Sequence, residues 1–256
     1  MHSGKTDRGE DMGSMEKYFG KDNKRRREIT FSDGFRIGSE EELTKAIDEL
    51  GFIPFFENGI RGFSLEEHIA QGCWYGGSDP WRAWEWKGPV INMSHCAYGK
   101  FMWNKAVYIS REWFPDFANY RRNGYDFDAR YEDGLASRDD KYLYDLLDAN
   151  APILSKPLKA LGNYRKGGKK GFDSSITRLQ KQCYIIISDF RYATDRYGNE
   201  YGWGIAEYTT PEKYWGDAFT DQVYKRSPEE SYERLLCHFK KILPEADEKA
   251  LNMMLG

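Results

Sequence analysis

The chain has 256 residues, 40% of them hydrophobic and 31% charged, which allows one large domain or two small ones around a buried core. The formal net charge of −3 excludes a global positive field, so any nucleic-acid binding depends on a local basic patch. The four cysteines form no CxxC pair, which argues against a structural zinc or a disulfide framework. Without a membrane-spanning run, signal-peptide pattern or nucleotide fingerprint, we expect a cytoplasmic protein with no membrane contact and no cofactor.

The N-terminal half begins with a polar stretch and continues with helix signals. Residues 1–35 are polar and glycine-rich and are predicted to form a disordered tail, in which Lys24–Arg27 is a solvated cluster or a phosphate contact. Capping boxes at Ser39 and Ser64 then open two helices, and two strands follow. Residues 36–138 are therefore predicted to form an N-terminal α/β unit, which is a candidate for a second winged helix.

The segment after these strands is acidic, aromatic and the least regular part of the pattern. Its carboxylates do not follow the EF-hand order, and arginines are interleaved with them, which favours a solvated or ion-paired loop over a metal site. We therefore predict no metal. The carboxylates are Asp126, Asp128, Glu132 and Asp133, and the arginines are Arg121, Arg122 and Arg130.

A clearer pattern begins at Asp139. An amphipathic helix is followed by a short helix capped by Ser155, by a third helix from Phe172 to about Gln182, and by the strands "CYIIISDF" and "YGWGIAEYTT". Three helices and a two-stranded wing follow the order of a winged helix-turn-helix. We predict an α+β fold in which a winged helix at about 139–210, within a domain of 139–215, packs on the N-terminal unit. Residues 216–256 are predicted to form a C-terminal helical extension.

The third helix occupies the position of a recognition helix. Phe172, Ile176 and Leu179 fall on one face and are predicted to be buried, and the opposite face is polar. A glycine-rich basic loop precedes this helix, and arginines lie in the wing. The predicted nucleic-acid-binding residues are Arg165, Lys166, Lys169, Lys170, Ser174, Thr177, Arg178, Lys181, Arg191 and Arg196.

The blocks "WEWKGP", "FPDFANYRRNGYDFDARYEDGLAS" and "LSKPLKALGNYRKGGKKGFD", together with the wing, resemble bacterial proteins described as AlkZ-related. The resemblance spans roughly Glu40 to Gly256. These proteins are distant relatives of the AlkZ-type DNA glycosylases, which are tandem winged helices that remove alkylated bases or unhook cross-links. The resemblance thus implies DNA as the partner and base excision as a candidate activity.

The family's catalytic signature is a pair of polar residues, often glutamines, flanking one residue that is usually hydrophobic. Gln180 and Gln182 match the pair, whereas Lys181 departs from the middle position. The resemblance makes Gln180 and Gln182 the candidate catalytic residues. By the chemistry of glycosidic cleavage, their amides are expected to hold the attacking water, with Asp189 as a candidate assisting carboxylate. On a helix, residues i and i+2 point about 200° apart, so Gln180 is expected to face the core and Gln182 the solvent.

Three functions stay open at this point: a DNA-binding relative of the glycosylases with a repair function, an active base-excision enzyme, and a non-enzymatic interaction module or transcription-type regulator. Tryptophans are candidates for a side chain that replaces an extruded base, although core packing is their commoner role. The oligomeric state is open, with a monomer favoured. The tryptophans considered are Trp74, Trp81, Trp84, Trp86 and Trp103.

Overall fold

The computed structural model describes residues 29–74, 82–198 and 200–256. Lys24–Arg27 and Trp81, both considered above, lie outside these ranges. Within them the protein combines helices with one open antiparallel sheet, so the predicted α+β class is confirmed. None of the helices in the described ranges has the length and apolar character needed to cross a membrane.

The sheet has short strands at its two edges and a long hairpin near its centre. Its strand order is β1-β3-β2-β5-β6-β4, and each neighbouring pair is antiparallel. The strands are β1 (Phe52–Pro54), β2 (Ala97–Met102), β3 (Lys105–Ile109), β4 (Ile153–Leu154), β5 (Ile186–Thr194) and β6 (Glu200–Thr209).

Several helices begin at a hydroxyl side chain that accepts a hydrogen bond from the first turn, as predicted at Ser39 and Ser64. The predicted cap at Ser155 is wrong: Ser155 is the first residue of its helix, and Leu154 takes the cap position without a side-chain hydrogen bond. The Ser39 and Ser64 hydroxyls accept from the backbone N–H three residues later, and Ser227 forms a reciprocal capping box with Glu230. The helices are α1 (Glu40–Leu50), α2 (Leu65–His68), α3 (Lys87–Ser94), α4 (Phe114–Arg122), α5 (Phe127–Glu132), α6 (Arg138–Asn150), α7 (Ser155–Leu161), α8 (Phe172–Lys181), α9 (Pro211–Trp215), α10 (Asp217–Val223), α11 (Pro228–Ile242) and α12 (Glu248–Leu255).

The element order repeats itself within the chain. The first repeat runs α1, β1, α2, α3, β2, β3, and the second runs α6, β4, α7, α8, β5, β6. In each repeat the short strand pairs with the second strand of the hairpin, β1 with β3 and β4 with β6. Both repeats are compatible with a winged helix. The short strands were not predicted, because a strand of two or three residues shows no detectable alternation of apolar and polar residues.

The two repeats are joined in the middle of the sheet. Strand β2 lies beside β5, with Tyr98 opposite Ile187. The third helix of each repeat packs on the other repeat: α3 contacts β5, and α8 contacts β2. The approach is close at Gly88, where an added Cβ would lie 3.0 Å from Asp189 Oδ1. The sheet and core thus run across residues 138 and 139, and the division of the chain into domains stays a prediction.

The predicted disordered tail extends too far at its C-terminal end. Residues Phe31–Asp33 form a 3₁₀ helix, and the Asp33 carboxylate accepts from the Thr30 N–H at 2.7 Å. Phe31 and Phe35 are buried beside the His68 ring. Burial of these rings offsets the entropic cost of ordering the segment, which its polar composition concealed.

The acidic segment after α4 contains a capped helix, α5, where a loop was predicted. Asp126 caps α5, and Asp128 pairs with Lys141 at 3.2 Å. Arg122 is 1% exposed and donates to Glu212 at 2.7 Å and to the Cys183 carbonyl at 2.8 Å. Asp126 therefore serves as a cap and Asp128 as an ion-pair partner. Within the described ranges, no three His, Cys, Asp or Glu side chains cluster as a metal site would require.

The C-terminal residues form the predicted helices, and α11 packs on α4. Asn119 Nδ2 donates to the Arg226 carbonyl and to Ser231 Oγ, each at 2.9 Å. The buried Asp116 carboxylate accepts from Arg226 at 3.2 Å and from Arg234 at 3.0 Å. These polar contacts fix the extension against the body of the protein.

Candidate nucleic-acid interface

Helix α8 has one buried face and one polar face, as its spacing predicted. Phe172, Ile176 and Leu179 are buried in the core. Ser174 is exposed, whereas Thr177 is partly buried. The helix ends at Lys181, one residue earlier than predicted, because Gln182 takes the C-cap position and Cys183 adopts a left-handed conformation with φ of 62°. The polar face is therefore available to a partner along most of the helix.

The loop before α8 folds tightly on itself. The Lys169 N–H donates to the Asn163 carbonyl at 2.6 Å, and the Gly168 N–H donates to the Arg165 carbonyl at 2.8 Å. An added Cβ at Gly168 would lie 2.1 Å from the Asn163 carbonyl oxygen, so this turn requires glycine. The turn leaves all four cationic side chains of the loop exposed: Arg165, Lys166, Lys169 and Lys170.

Most of these cations are not neutralised by the protein. Lys169 Nζ lies 3.5 Å from the centroid of the Tyr142 ring, an attraction that keeps its charge on the surface of α6. Arg165, Lys166 and Lys170 make no ion pair with any residue in the ranges that the structure describes. The loop therefore presents a compact positive patch on a protein whose net charge is negative.

Arg178 is paired with Asp140 within the protein, and this pair was not predicted from the sequence. Its Nε and Nη2 donate to the two oxygens of Asp140 at 2.9 and 2.8 Å, and Nη2 also donates to Ser175 Oγ at 3.0 Å. Burial acts to raise the pKa of Asp140, but the hydrogen bonds from Arg178, Ser175 and Ser137 leave that pKa below its ordinary value. To read a base with this fork, Arg178 would have to leave Asp140.

The two arginines of the wing, Arg191 and Arg196, also differ in whether a carboxylate of the protein compensates their charge. Arg191 Nη2 lies 3.1 Å from Asp189 Oδ2, and its Nε lies 3.9 Å from Glu207, so carboxylates on its own hairpin compensate its charge. Arg196, close to the tip, packs on the ring of Tyr197 at 4.6 Å, and that tyrosine is 72% exposed. Arg196 is thus the better placed of the two to contact the phosphate backbone of a nucleic acid.

The residues proposed for catalysis do not converge on one another. Gln180 is 1% exposed, and its Oε1 accepts from the Lys100 N–H of β2 at 2.8 Å. Gln182 is partly exposed at the end of α8, so the two amides diverge as the helical geometry predicts. The buried Asp189 accepts from the Phe190 N–H at 2.7 Å and from Asn92 Nδ2 at 3.4 Å, beside α3. The two buried candidates are thus engaged with different parts of the protein.

Two of the histidines, His68 and His238, have structural surroundings. His68 lies between the carbonyls of Phe35 and Gly62, at 3.2 and 2.8 Å. His238 Nε2 lies 2.9 Å from the Leu50 carbonyl oxygen, and its ring stacks on Trp113. Burial lowers the pKa of His238 to about 4. A neutral imidazole that bonds a backbone carbonyl through its N–H serves the fold rather than proton transfer.

Two residues of this surface were missed from the sequence, Asp140 and Tyr142. They lie on α6, at least 27 positions before the side chains that they contact, Arg178 and Lys169. Their local pattern shows only a capped first turn on an amphipathic helix. No spacing rule connects one helix face to a loop of another helix, so only the packing of α6 on α8 reveals them.

Comparison with protein-family models matches residues 37–256 to the family described as AlkZ related. The match covers both repeats and the C-terminal helices, in agreement with the resemblance seen in the sequence. Searches of curated proteins and of solved structures find no match.

Proposed function

The chain belongs to the AlkZ-related family, and from that membership we propose that it binds duplex DNA and acts in the repair of alkylated DNA. In this proposal, the loop of residues 163–171 and the polar face of α8 form the DNA-binding surface. The wing around Arg196 contacts the backbone beside them. The non-enzymatic alternative is a winged-helix module or regulator that uses the same surface without acting on the DNA.

The observation that carries the proposal is the unpaired positive charge beside α8. Arg165, Lys166 and Lys170 are exposed, and no carboxylate of the described residues pairs with them. A protein with a net charge of −3 has no general attraction for a polyanion, so a compact group of free cations marks where one would bind. Ser174, in the first turn of α8, adds a hydroxyl that can reach a phosphate.

The proposal includes base excision as the activity, and Gln182 rather than Gln180 is its main candidate catalytic residue. The side-chain amide oxygen of Gln180 already accepts from the Lys100 N–H, whereas Gln182 lies at the surface end of α8. An alkylated purine leaves without a general acid, so one amide that places water is a sufficient minimum for the protein. Gln182 is the proposed holder of that water, and Asp189 is the proposed assisting carboxylate.

Duplex binding is tested by reversing charge in the loop. The variant Lys166→Glu, Lys169→Glu, Lys170→Glu is expected to lose measurable binding to a labelled duplex at low salt, because three phosphate contacts become repulsive. The control reverses three exposed lysines on other elements, Lys45, Lys225 and Lys249. Each triple variant takes the net charge from −3 to −9, since each Lys→Glu change removes two units.

The control variant is expected to bind nearly as well as the wild type in a fluorescence-anisotropy titration. Equal loss in both variants would mean that net charge rather than this surface governs binding. Unchanged binding in the loop variant would remove the loop from the interface. Circular dichroism of both proteins verifies that the fold is kept.

Base excision is tested on a duplex that carries one N7-methylguanine. The wild type is expected to release the base, and Gln182→Ala is expected to release it at least about 100-fold more slowly while keeping its DNA affinity. The matched control is Gln222→Ala, a second exposed glutamine, on α10. Binding without release by the wild type supports the non-enzymatic alternative, and equal release by wild type and Gln182→Ala excludes the proposed role of Gln182.

A further inference from the structure

A second candidate site lies away from the basic loop, where the two hairpins meet. A cavity of about 320 Å³ opens there between β2, β5 and β6, close to α3. This lies within the lower range of volumes that small planar ligands occupy. We call it the Trp203 pocket. Its aromatic walls are Phe56, Trp84, Tyr98, Phe190 and Trp203.

Trp203 is the most exposed of these side chains. It is 78% exposed on β6, and its ring meets Trp84 edge-on, with centroids 5.9 Å apart and an interplanar angle of 88°. Deeper in the pocket, Tyr98 and Phe190 also meet edge-on, at 5.8 Å. An indole held at the mouth of an aromatic cavity with most of its surface uncovered is suited to stack on a flat ring.

Lys87, at the start of α3, supplies a buried cation to this pocket. It is 5% exposed, and its Nζ lies 3.3 Å from the centroid of a Trp84 ring and 5.0 Å from that of Phe190. No ion pair or hydrogen bond to its ammonium is present among the residues that the structure describes. Burial lowers the pKa of Lys87 to about 8. The ammonium therefore has donors free for an acceptor that enters the pocket.

The charge of the pocket is of one sign. Lys87, Lys100 and Lys105 line it, and none of the described residues that line it is a carboxylate. Lys100 is exposed and Lys105 is partly exposed, so both can meet a charged group outside the cavity. Aromatic walls together with lysines fit a ligand that combines a planar ring with a negative charge, and a nucleotide has both.

We propose that the Trp203 pocket receives a single unpaired nucleotide of the bound nucleic acid. Its base stacks on Trp203 and Trp84, an exocyclic carbonyl oxygen of the base accepts a hydrogen bond from Lys87, and the adjoining phosphate lies beside Lys100 and Lys105. The proposal rests on the proposed DNA binding. A positive charge at Lys87 favours a neutral base with carbonyl oxygens and disfavours a cationic ring. The pocket is therefore distinct, in place and in preference, from the water site assigned to Gln182.

The test compares two duplexes that differ by one extrahelical thymine at the centre. The wild type is expected to bind the duplex with the extra thymine about tenfold more tightly than the fully paired one. A change of about tenfold in affinity is what one base–aromatic stack contributes. In Trp203→Ala this preference is expected to disappear while affinity for the paired duplex stays the same. The control, Tyr197→Ala, removes an aromatic ring that is 72% exposed on the same wing and is expected to keep the preference.

A separate binding experiment tests the role of Lys87. Replacing the extrahelical thymine with difluorotoluene, which has the same shape but hardly accepts hydrogen bonds, is expected to lower wild-type affinity several-fold. Lys87→Met is expected to bind both equally. Because Lys87 is buried, thermal unfolding of the Lys87→Met protein is measured as well. If that variant does not fold, the comparison of thymine with difluorotoluene in the wild type still tests the hydrogen bond.

A separate probe distinguishes failure of the pocket from failure of the proposed function. A short thymidylate oligonucleotide is expected to quench Trp203 fluorescence in the wild type and to bind about tenfold more weakly to Trp203→Ala. If the paired duplex does not bind but this difference holds, the duplex proposal fails and the pocket stands. If the paired duplex binds but neither probe shows a dependence on Trp203, the pocket proposal is overturned and duplex binding stands.

Discussion

The two repeats share their element order but use the first turn of their third helix in opposite ways. In α3 that turn is enclosed: Lys87 and Gly88 are buried against β5 of the other repeat. In α8 the turn is open: Asp173 and Ser174 are exposed and follow the free basic loop. The first turn of a recognition helix is the part that contacts base edges. The second repeat has the open first turn that such a contact requires, and the first repeat does not.

The cause of this difference is where each helix crosses the neighbouring repeat. Helix α8 reaches β2 near its C-terminal end, through the hydrogen bond from the Lys100 N–H to Gln180. Helix α3 lies on β5 from its N-terminal end, where Gly88 permits contact with Asp189, as far as Asn92, which donates to the same carboxylate. The same crossing therefore exposes one N-terminus and directs the other toward the Trp203 pocket. One architecture thus provides two surfaces of different chemistry.

The largest effect is expected from loosening the enclosed helix. Ile91→Ala, at a fully buried position of α3, is expected to lower the free energy of unfolding by about 3 kcal/mol through lost burial and a residual cavity. Ser174→Ala, at an exposed position of α8, is expected to change it by less than about 0.5 kcal/mol. Urea unfolding measures both. Similar values would show that the two helices are not enclosed to different degrees.

Acid is expected to weaken the packing of α11 on the first repeat through the partly buried His238 of α11. The pKa of His238, which packs on α1, is about 4 in the fold and about 6.5 in the unfolded chain. Because the unfolded chain binds the proton first, this stabilisation is complete above pH 6.5 and is lost as the pH falls toward 4. The loss is expected to reach about 2 kcal/mol at pH 5.

Unfolding curves at pH 7 and pH 5 measure this loss. In His238→Gln, whose amide does not titrate, the difference between the two pH values is expected to shrink by that amount. His95→Asn, which replaces an exposed histidine at a left-handed position that asparagine tolerates, is the control and is expected to keep the difference. An unchanged pH dependence in His238→Gln would show that this histidine is protonated within the fold.

The smallest effect is expected at the contact of α8 with β2. Gln180→Ala leaves the Lys100 N–H without its acceptor and is expected to cost about 1.5 kcal/mol of unfolding free energy. Gln182→Ala, two residues on at the C-cap, is expected to cost less than about 0.5 kcal/mol. Urea midpoints of the two variants separate the structural glutamine from the one proposed for catalysis. Equal costs would contradict this division.

Much of the second repeat was predictable because its patterns are long. The alternation of buried and exposed positions in α8 and the wing strands indicated both their type and their faces, and the opposite orientation of Gln180 and Gln182 followed from helical geometry. The first repeat was less predictable. Its first two helices were predicted from their serine caps, whereas helix α3 and the three-residue edge strand β1 were not. Patterns of that length do not distinguish a strand from a turn.

The sequence by itself determined the α+β class, the helix faces, the basic loop and the family, because each depends on neighbouring residues or on a pattern along the whole chain. Only the tertiary structure decided which cations are neutralised, where Arg178 meets Asp140, and that Trp203, Trp84 and Lys87 share one cavity. These side chains come together because β2 and β5 lie side by side. A contact between residues more than 100 positions apart, such as Trp84 and Trp203, leaves no periodicity in the sequence, since it arises from packing between repeats.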